Sequence, residues 1–338
     1  MLTRLSLSLA VSVGLLVGST RDACAATIIK AVATPDFESQ YTPDGRFAID
    51  SANGVGLSSD LLTGDPVPGA YPTHNTNYED QWLTAVPDSV TWITYDLGQN
   101  YAIAGLHQWN YNELGGTSRG TRNVSMTFST TSPVAGFGSP FATTFSQAAV
   151  SGDTGQTISL PDLVLARYVR LDISSNWGSN HTGLAEIRFI APDDGVLGST
   201  PAANSTIKIG DATEAFASLN LSDAVELENT GAANTAVIVE SYSISGADAA
   251  QFDLSSFAET ILAGGDTVSF DVDFTGLAEL RDYAAVVTFQ TNVGDISFNL
   301  LVAAIPEPST LALLAIGGLG CVQMAGRRRK RAFGQATA

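Results

Sequence analysis

Few side chains in this sequence stand at spacings that do covalent chemistry. Gly116-Thr117-Ser118-Arg119-Gly120 spells the G-x-S-x-G text of a nucleophile elbow, which works only where a strand enters the serine and a helix leaves it. Asn112 to Gly115 have the composition of a loop and Arg122 to Phe128 that of a strand, so the pentad is expected to be a glycine-rich turn. His74, His107 and His181 are the only histidines, and none is paired one helical turn from another or set in an HExxH pattern, which argues against a catalytic zinc. A glycosidase needs only two carboxylates roughly 5–10 Å apart across a cleft. With 32 Asp and Glu between residues 27 and 306, such a pair stays open, and no residue is assigned a catalytic role.

Binding groups are better defined. Sugar recognition places an aromatic face against pyranose C–H groups and meets the hydroxyls with amides, carboxylates and guanidinium groups. Trp109-Asn110-Tyr111-Asn112-Glu113, followed by Arg119, supplies those groups at a strand-to-loop transition. Asn176 to Asn180 with Trp177 and His181 forms a second aromatic and polar loop. The candidate carbohydrate contacts are therefore Trp109, Asn110, Tyr111, Asn112, Glu113, Arg119, Trp177 and His181. The competing assignment has Trp109 and Trp177 plug the end of a barrel while the amides cap turns. Trp82 and Trp92 are expected mainly in the core.

The elements that must position these groups are strands. Ile93, Tyr95 and Leu97 alternate with Trp92, Thr94 and Asp96, and Val169, Leu171 and Ile173 alternate with Tyr168, Arg170 and Asp172; period two means a strand with one buried face. Ile103 to Trp109 and Val124 to Ser129 supply further strands. Later, Val268-Phe270-Val272-Phe274 and Ile296-Phe298-Leu300-Val302 show the same alternation. Charged residues make up only 15% of the 338 and glycine is abundant, which suits an all-β chain. Pro192, Asp193-Asp194-Gly195 and the Gly198 to Pro201 run break the pattern. That break places a linker at 193–204, between modules at 27–192 and 205–303.

Residues 27–306 hold 9 Lys and Arg against 32 Asp and Glu, a net of −23. Such a surface repels phosphates, so no nucleic-acid partner is expected. Cys24 and Cys321 are the only cysteines, so no disulfide staples the region between them.

Both ends have the composition of addresses. Arg4, an apolar run from Leu5 to Gly18 and Ala23-Cys24-Ala25 have the order of a secretory signal peptide over residues 1–26. Pro306-Glu307-Pro308 precedes an apolar stretch at 309–326 and the cluster Arg327-Arg328-Arg329-Lys330-Arg331. As a transmembrane helix that stretch is about 27 Å long, enough for a bilayer core. The basic cluster would then hold residues 332–338 as a cytoplasmic tail. This order over 304–331 resembles the PEP-CTERM sorting signal of Gram-negative and related bacteria. The resemblance implies an exosortase that cuts near Pro306-Glu307-Pro308, after signal peptidase has acted at the other end. An uncut single-pass membrane anchor remains open.

Between the addresses, two further resemblances carry the module assignment. Ala48-Ile49-Asp50 with Asn53-Gly54, Trp82, Trp92 to Gly98, Trp109 to Glu113, Arg167 to Leu171 and the close Gly183 to Phe189 resemble the discoidin family, the coagulation factor V/VIII C-domain. Ser51 departs from the glycine often found there. The resemblance implies a jelly roll that often binds carbohydrate. It also implies a structural Ca2+, with Asp50 and Glu186 at the positions that would contribute carboxylates; no other cofactor is called for. Asn229-Thr-Gly231, Ser245 to Phe252, Leu262 to Gly265 and Thr291-Asn292 resemble an immunoglobulin-like module of the spindle-protein/Hydin type, a β-sandwich that serves as a spacer. The expected protein is an exported, non-catalytic surface or matrix protein that binds an envelope or extracellular polysaccharide. A structural adhesion protein without a small ligand is the alternative, and a secreted glycoside hydrolase a third.

Overall fold

The computed structural model describes residues 26–85 and 89–304. The expected signal peptide, apart from Ala26, and the sorting segment with its apolar stretch at 309–326 lie outside the described residues. Within them the chain is all-β, with four short 3-10 turns at Ala48–Ser51, Tyr78–Asp80, Thr117–Arg119 and Ala249–Gln251. No helix among the described residues is long and apolar enough to cross a membrane.

The first module is a jelly-roll-like sheet built from β1 (Thr27–Ile29), β2 (Asp36–Phe37), β3 (Trp82–Leu83), β4 (Thr91–Asn110), β5 (Thr121–Ser129), β6 (Phe141–Thr144), β7 (Gln156–Asn176) and β8 (Gly183–Ala191). Its order is β1-β8-β4-β7-β5-β6, with β2 beside β4 and β3 beside β8. The alternation in β4 and β7 puts Ile93, Tyr95, Leu97, Val169, Leu171 and Ile173 into one core with Trp82, Phe145 and Phe189. The two expected strands around Gly98 form one long strand, because the chain bulges instead of turning back. The β4–β7 register shifts between Asp96 and Tyr101, where Gly98 adopts φ +91, a region that costs an L side chain about 1–2 kcal/mol. Trp92 is on the outer face of β4, half-buried beneath the Arg170 guanidinium at 4.3 Å, and not in the core. It follows the even-numbered face that the alternation itself assigns outward.

Two faces of the jelly roll are covered, not one. All nine residues of β8 are buried. The loop that runs from Ala52 past Leu61 to Tyr71 packs on the face turned away from the main core, where Ile28, Leu61, Trp109 and Ala185 form a second, small cluster.

The second module is a two-layer β-sandwich. One sheet orders β10 (Leu197–Thr200), β12 (Ser218–Asn229), β16 (Thr267–Thr275) and β14 (Phe252–Asp253). The other orders β11 (Thr206–Ala212), β18 (Ile296–Ala304), β17 (Tyr283–Thr291), β13 (Thr235–Ser245) and β15 (Thr260–Ala263), with β9 (Asp193–Asp194) against β13. Val225, Leu227, Phe270, Val272 and Phe274 of one sheet meet Val237, Val287, Phe289, Phe298 and Leu300 of the other. Residues 193–204, expected as a linker, carry β9 and β10 and so belong to the sandwich. Asp and Gly interrupt the alternation there, but backbone pairing to β13 and β12 needs no apolar side chain.

Candidate functional site

The loops at one end of the jelly roll bring together groups from four parts of the chain. Glu113 follows the end of β4 and is the anion at their centre. Its Oε2 accepts from the Tyr111 hydroxyl at 2.7 Å and from Arg46 Nη1 at 3.0 Å, and Arg119 Nη1 bonds the same oxygen. Arg46 also donates to the Tyr111 hydroxyl at 2.5 Å. Its guanidinium lies 4.5 Å from the Tyr78 ring centre and 5.7 Å from that of Tyr41, and Tyr41 meets the His181 ring edge-on at 6.1 Å. Arg46 itself is buried, whereas the Arg119 side chain is 31% exposed. Tyr78 and Leu114 are exposed beside them.

Burial alone would raise the Glu113 pKa. The hydrogen bond from Tyr111 and the charges of Arg46 and Arg119 outweigh it, and the pKa is lowered. Glu113 therefore stays an anion, unsuited to giving a proton to a leaving group. Burial also opposes the charge of Arg119, but Glu113 beside it outweighs that cost and raises its pKa. Glu113, the two guanidinium groups and the exposed Asp44, whose carboxylate lies 3.8 Å from Arg46, are flanked by three rings and can bind adjacent hydroxyls from both sides. The guanidinium groups donate, the carboxylates accept, and a ring covers the C–H face.

The expected site residues divide sharply. Glu113 and Arg119 meet at this rim, and His181 reaches it only through the ring of Tyr41, with its Nδ1 bonded to the Thr84 carbonyl at 3.1 Å. Trp109 does not: it is fully buried, its indole N–H donates to the Pro72 carbonyl at 2.8 Å, and its ring packs edge-on against Tyr71 and His107. It cannot stack on a ligand, because it leaves the sheet on the face that the 52–71 loop covers. Tyr111 is buried too and contributes its hydroxyl alone. Asn110 donates to the Thr121 and Ser146 carbonyls, and Asn112 to that of His74; both side chains are buried and their amide nitrogens hold loops. Trp177 is half-buried beneath Arg122 at 4.7 Å. The Asn176 side chain folds its loop by bonding Gly178, Ser179, His181 and Thr182. Arg46, Tyr41 and Tyr78 are rim residues that sequence reasoning missed; the one available signal was the scarcity of cations in an acidic chain.

Ser118 lies in the Thr117–Arg119 turn, which leads into the strand β5 and not into a helix, so the nucleophile-elbow geometry is not formed. Asp50 and Glu186 do not offer a calcium donor set. Asp50 accepts from Phe47 N at 2.9 Å and Asn53 Nδ2 at 3.0 Å. Glu186 accepts from Gly54 N at 2.6 Å and Arg188 Nη1 at 2.5 Å. Each of their four oxygens already faces a donor hydrogen, one of them on a cation, where Ca2+ needs open oxygen ligands.

Residues 304–330 match the family model of the PEP-CTERM protein-sorting motif. The chain carries a PEP-CTERM sorting motif. The PEP-CTERM motif marks an exported protein sorted to the cell surface, and it implies processing by an exosortase. It includes the expected Pro306, Glu307, Pro308 and Arg327 to Lys330, with Arg331 just beyond its end. No curated protein matches the chain. Among solved structures, the CBM32 of AlyQ in complex with 4,5-unsaturated mannuronic acid is 20% identical, with 48% of this chain and 97% of that one covered and a TM-score of 0.29. CBM32-3 from a family 31 glycoside hydrolase of Clostridium perfringens is 12% identical over 48% and 90%, with a TM-score of 0.31. The F5/8 type C domain of a Bacteroides fragilis protein is 12% identical over 49% and 96%, with a TM-score of 0.33.

Proposed function

We propose that this exported protein binds a polysaccharide of the envelope or extracellular matrix through the loop end of its jelly roll, and that it does so without catalysis. The observation that carries the reading is the meeting of Arg46, Glu113 and Arg119 with Tyr41, Tyr78 and His181 at one rim. Residues 27–306 carry a net charge of −23, and two guanidinium groups set against Glu113 and Asp44 keep the rim from being uniformly anionic. The fixed donors and acceptor there suit hydroxyl pairs better than a phosphate or a metal ion. The second module spaces this rim from the PEP-CTERM segment, and its acidic surface keeps the protein off anionic lipid.

A screen of immobilised glycans is the test. Binding by the wild-type chain is expected to fall at least tenfold in Arg119→Ala and in Glu113→Gln, a weakening of about 1.4 kcal/mol in each variant. Binding that survives both substitutions, or the absence of any bound glycan, would favour the structural adhesion alternative. Hydrolysis of a bound glycan would favour the hydrolase.

A further inference from the structure

Glu186 and Arg188 stand two apart on β8, so both side chains leave the same face of the sheet. The loop from Ala52 to Leu61 closes over them, and each is 0% exposed. The Arg188 guanidinium is bonded by Glu186 Oε1 at 2.5 Å and Asp60 Oδ1 at 2.7 Å. It also donates to the carbonyl oxygens of Leu61 at 2.8 Å, Ile187 at 2.8 Å and Ala52 at 3.3 Å. The Lys30 ammonium takes the other Asp60 oxygen at 2.5 Å and the Asn53 carbonyl at 2.8 Å. Gly54 lets the loop come this close: at φ +85, a Cβ there would lie 2.2 Å from Asp60 Oδ1.

Two carboxylates and several loop carbonyls converging on one positive centre form the kind of oxygen set that encloses a hard cation. Here the enclosed charge belongs to the chain. A divalent ion could enter only by expelling a fully buried guanidinium that makes five bonds. We propose that Arg188, assisted by Lys30, is a resident cation that does the work of a structural calcium ion, clamping the 52–61 loop onto β8 and making the first module independent of divalent metal. Secretion into a medium of varying calcium then leaves the fold unchanged, and no staple of another kind is needed to hold this loop.

Replacing Arg188 by a small neutral residue leaves Glu186, Asp60 and the Ala52 and Leu61 carbonyls around a vacated space. That variant should acquire the calcium dependence the natural chain lacks. The experiment is thermal melting of the full chain in EGTA and in millimolar CaCl2 or MgCl2. Melting is run at about pH 8, because Glu186, pushed up to about 7 by burial against the pull of Arg188, rises further once Arg188 is removed and must give up its proton to an entering cation. Wild-type Tm is expected to be the same in all three. Arg188→Ser is expected to melt several degrees lower in EGTA and to recover part of the loss in calcium but not in magnesium. If Arg188→Ser does not fold in EGTA, the same reading applies to the folded fraction recovered on refolding with calcium. A wild-type Tm that rises with calcium, or an Arg188→Ser chain that calcium leaves unchanged, would overturn the proposal.

Discussion

Burial separates residues of one type into different roles. Trp109 is enclosed by Ile28, Leu61 and Ala185, so Trp109→Ala is expected to cost about 3–5 kcal/mol of stability in denaturant unfolding. Arg119 is a partly exposed ion-pair partner, and Arg119→Ala is expected to change stability by less than about 1 kcal/mol while removing glycan binding. Equal losses of stability in the two variants would place Arg119 in the fold and not at a binding rim. His107 ties pH to stability. Its Nε2 donates to the Thr154 carbonyl at 2.8 Å, its Nδ1 accepts from the Thr157 hydroxyl at 2.7 Å, and Tyr71 stacks on its ring at 3.4 Å. Burial lowers its pKa from 6.5 to about 4. Between those values the unfolded chain holds the extra proton, so the stabilisation is complete above pH 6.5 and is lost as pH falls toward 4. The slope from this residue approaches 1.4 kcal/mol per pH unit. Urea unfolding at pH 7 and pH 5 measures it, and in His107→Gln that part of the pH dependence should shrink.

Period two in the sequence was enough to place the long strands, because the alternation of Ile93, Tyr95 and Leu97 is a local property of an extended chain. It did not show that β4 runs on through Gly98, since a bulge and a turn both call for glycine at positive φ. Gly98→Ala tests the bulge. An added Cβ would sit 3.0 Å from Val32 in a backbone region that disfavours it, and a loss of about 1–2 kcal/mol is expected, with no change in glycan binding. Nor did alternation show that β8 is buried on both sides. Glu186 suggests an edge residue when only its neighbours in sequence are considered, and it becomes half of a buried ion pair once the 52–61 loop arrives. The strands in 193–204 were hidden for a different reason: pairs such as Thr235 with Asp193 are made by backbone groups, which leave no side-chain signature.

For the molecule as a whole, Ala102, Leu163 and Leu165 of the jelly roll touch Ala236, Ile238 and Ile261 of the sandwich, and Asn100 donates to Glu259 at 2.8 Å. The rim and the sorting segment thus belong to one chain of two joined modules. The PEP-CTERM motif predicts that protein recovered from its native host ends near Pro308, and intact-mass measurement checks this; a mass that retains Arg327 to Arg331 would contradict it. The sequence by itself determined the all-β class, the acidity, the lack of a disulfide framework and the sorting motif. These are set by composition or by spacings of a few residues. The tertiary structure alone decided which aromatic rings face solvent, which carboxylate gathers the arginines and which cation fills the pocket behind β8. Those outcomes rest on contacts between residues 65 apart, as for Arg46 and Tyr111, or 128 apart, as for Asp60 and Arg188. A two-residue period shows which face a side chain takes, but not whether a distant loop will cover that face.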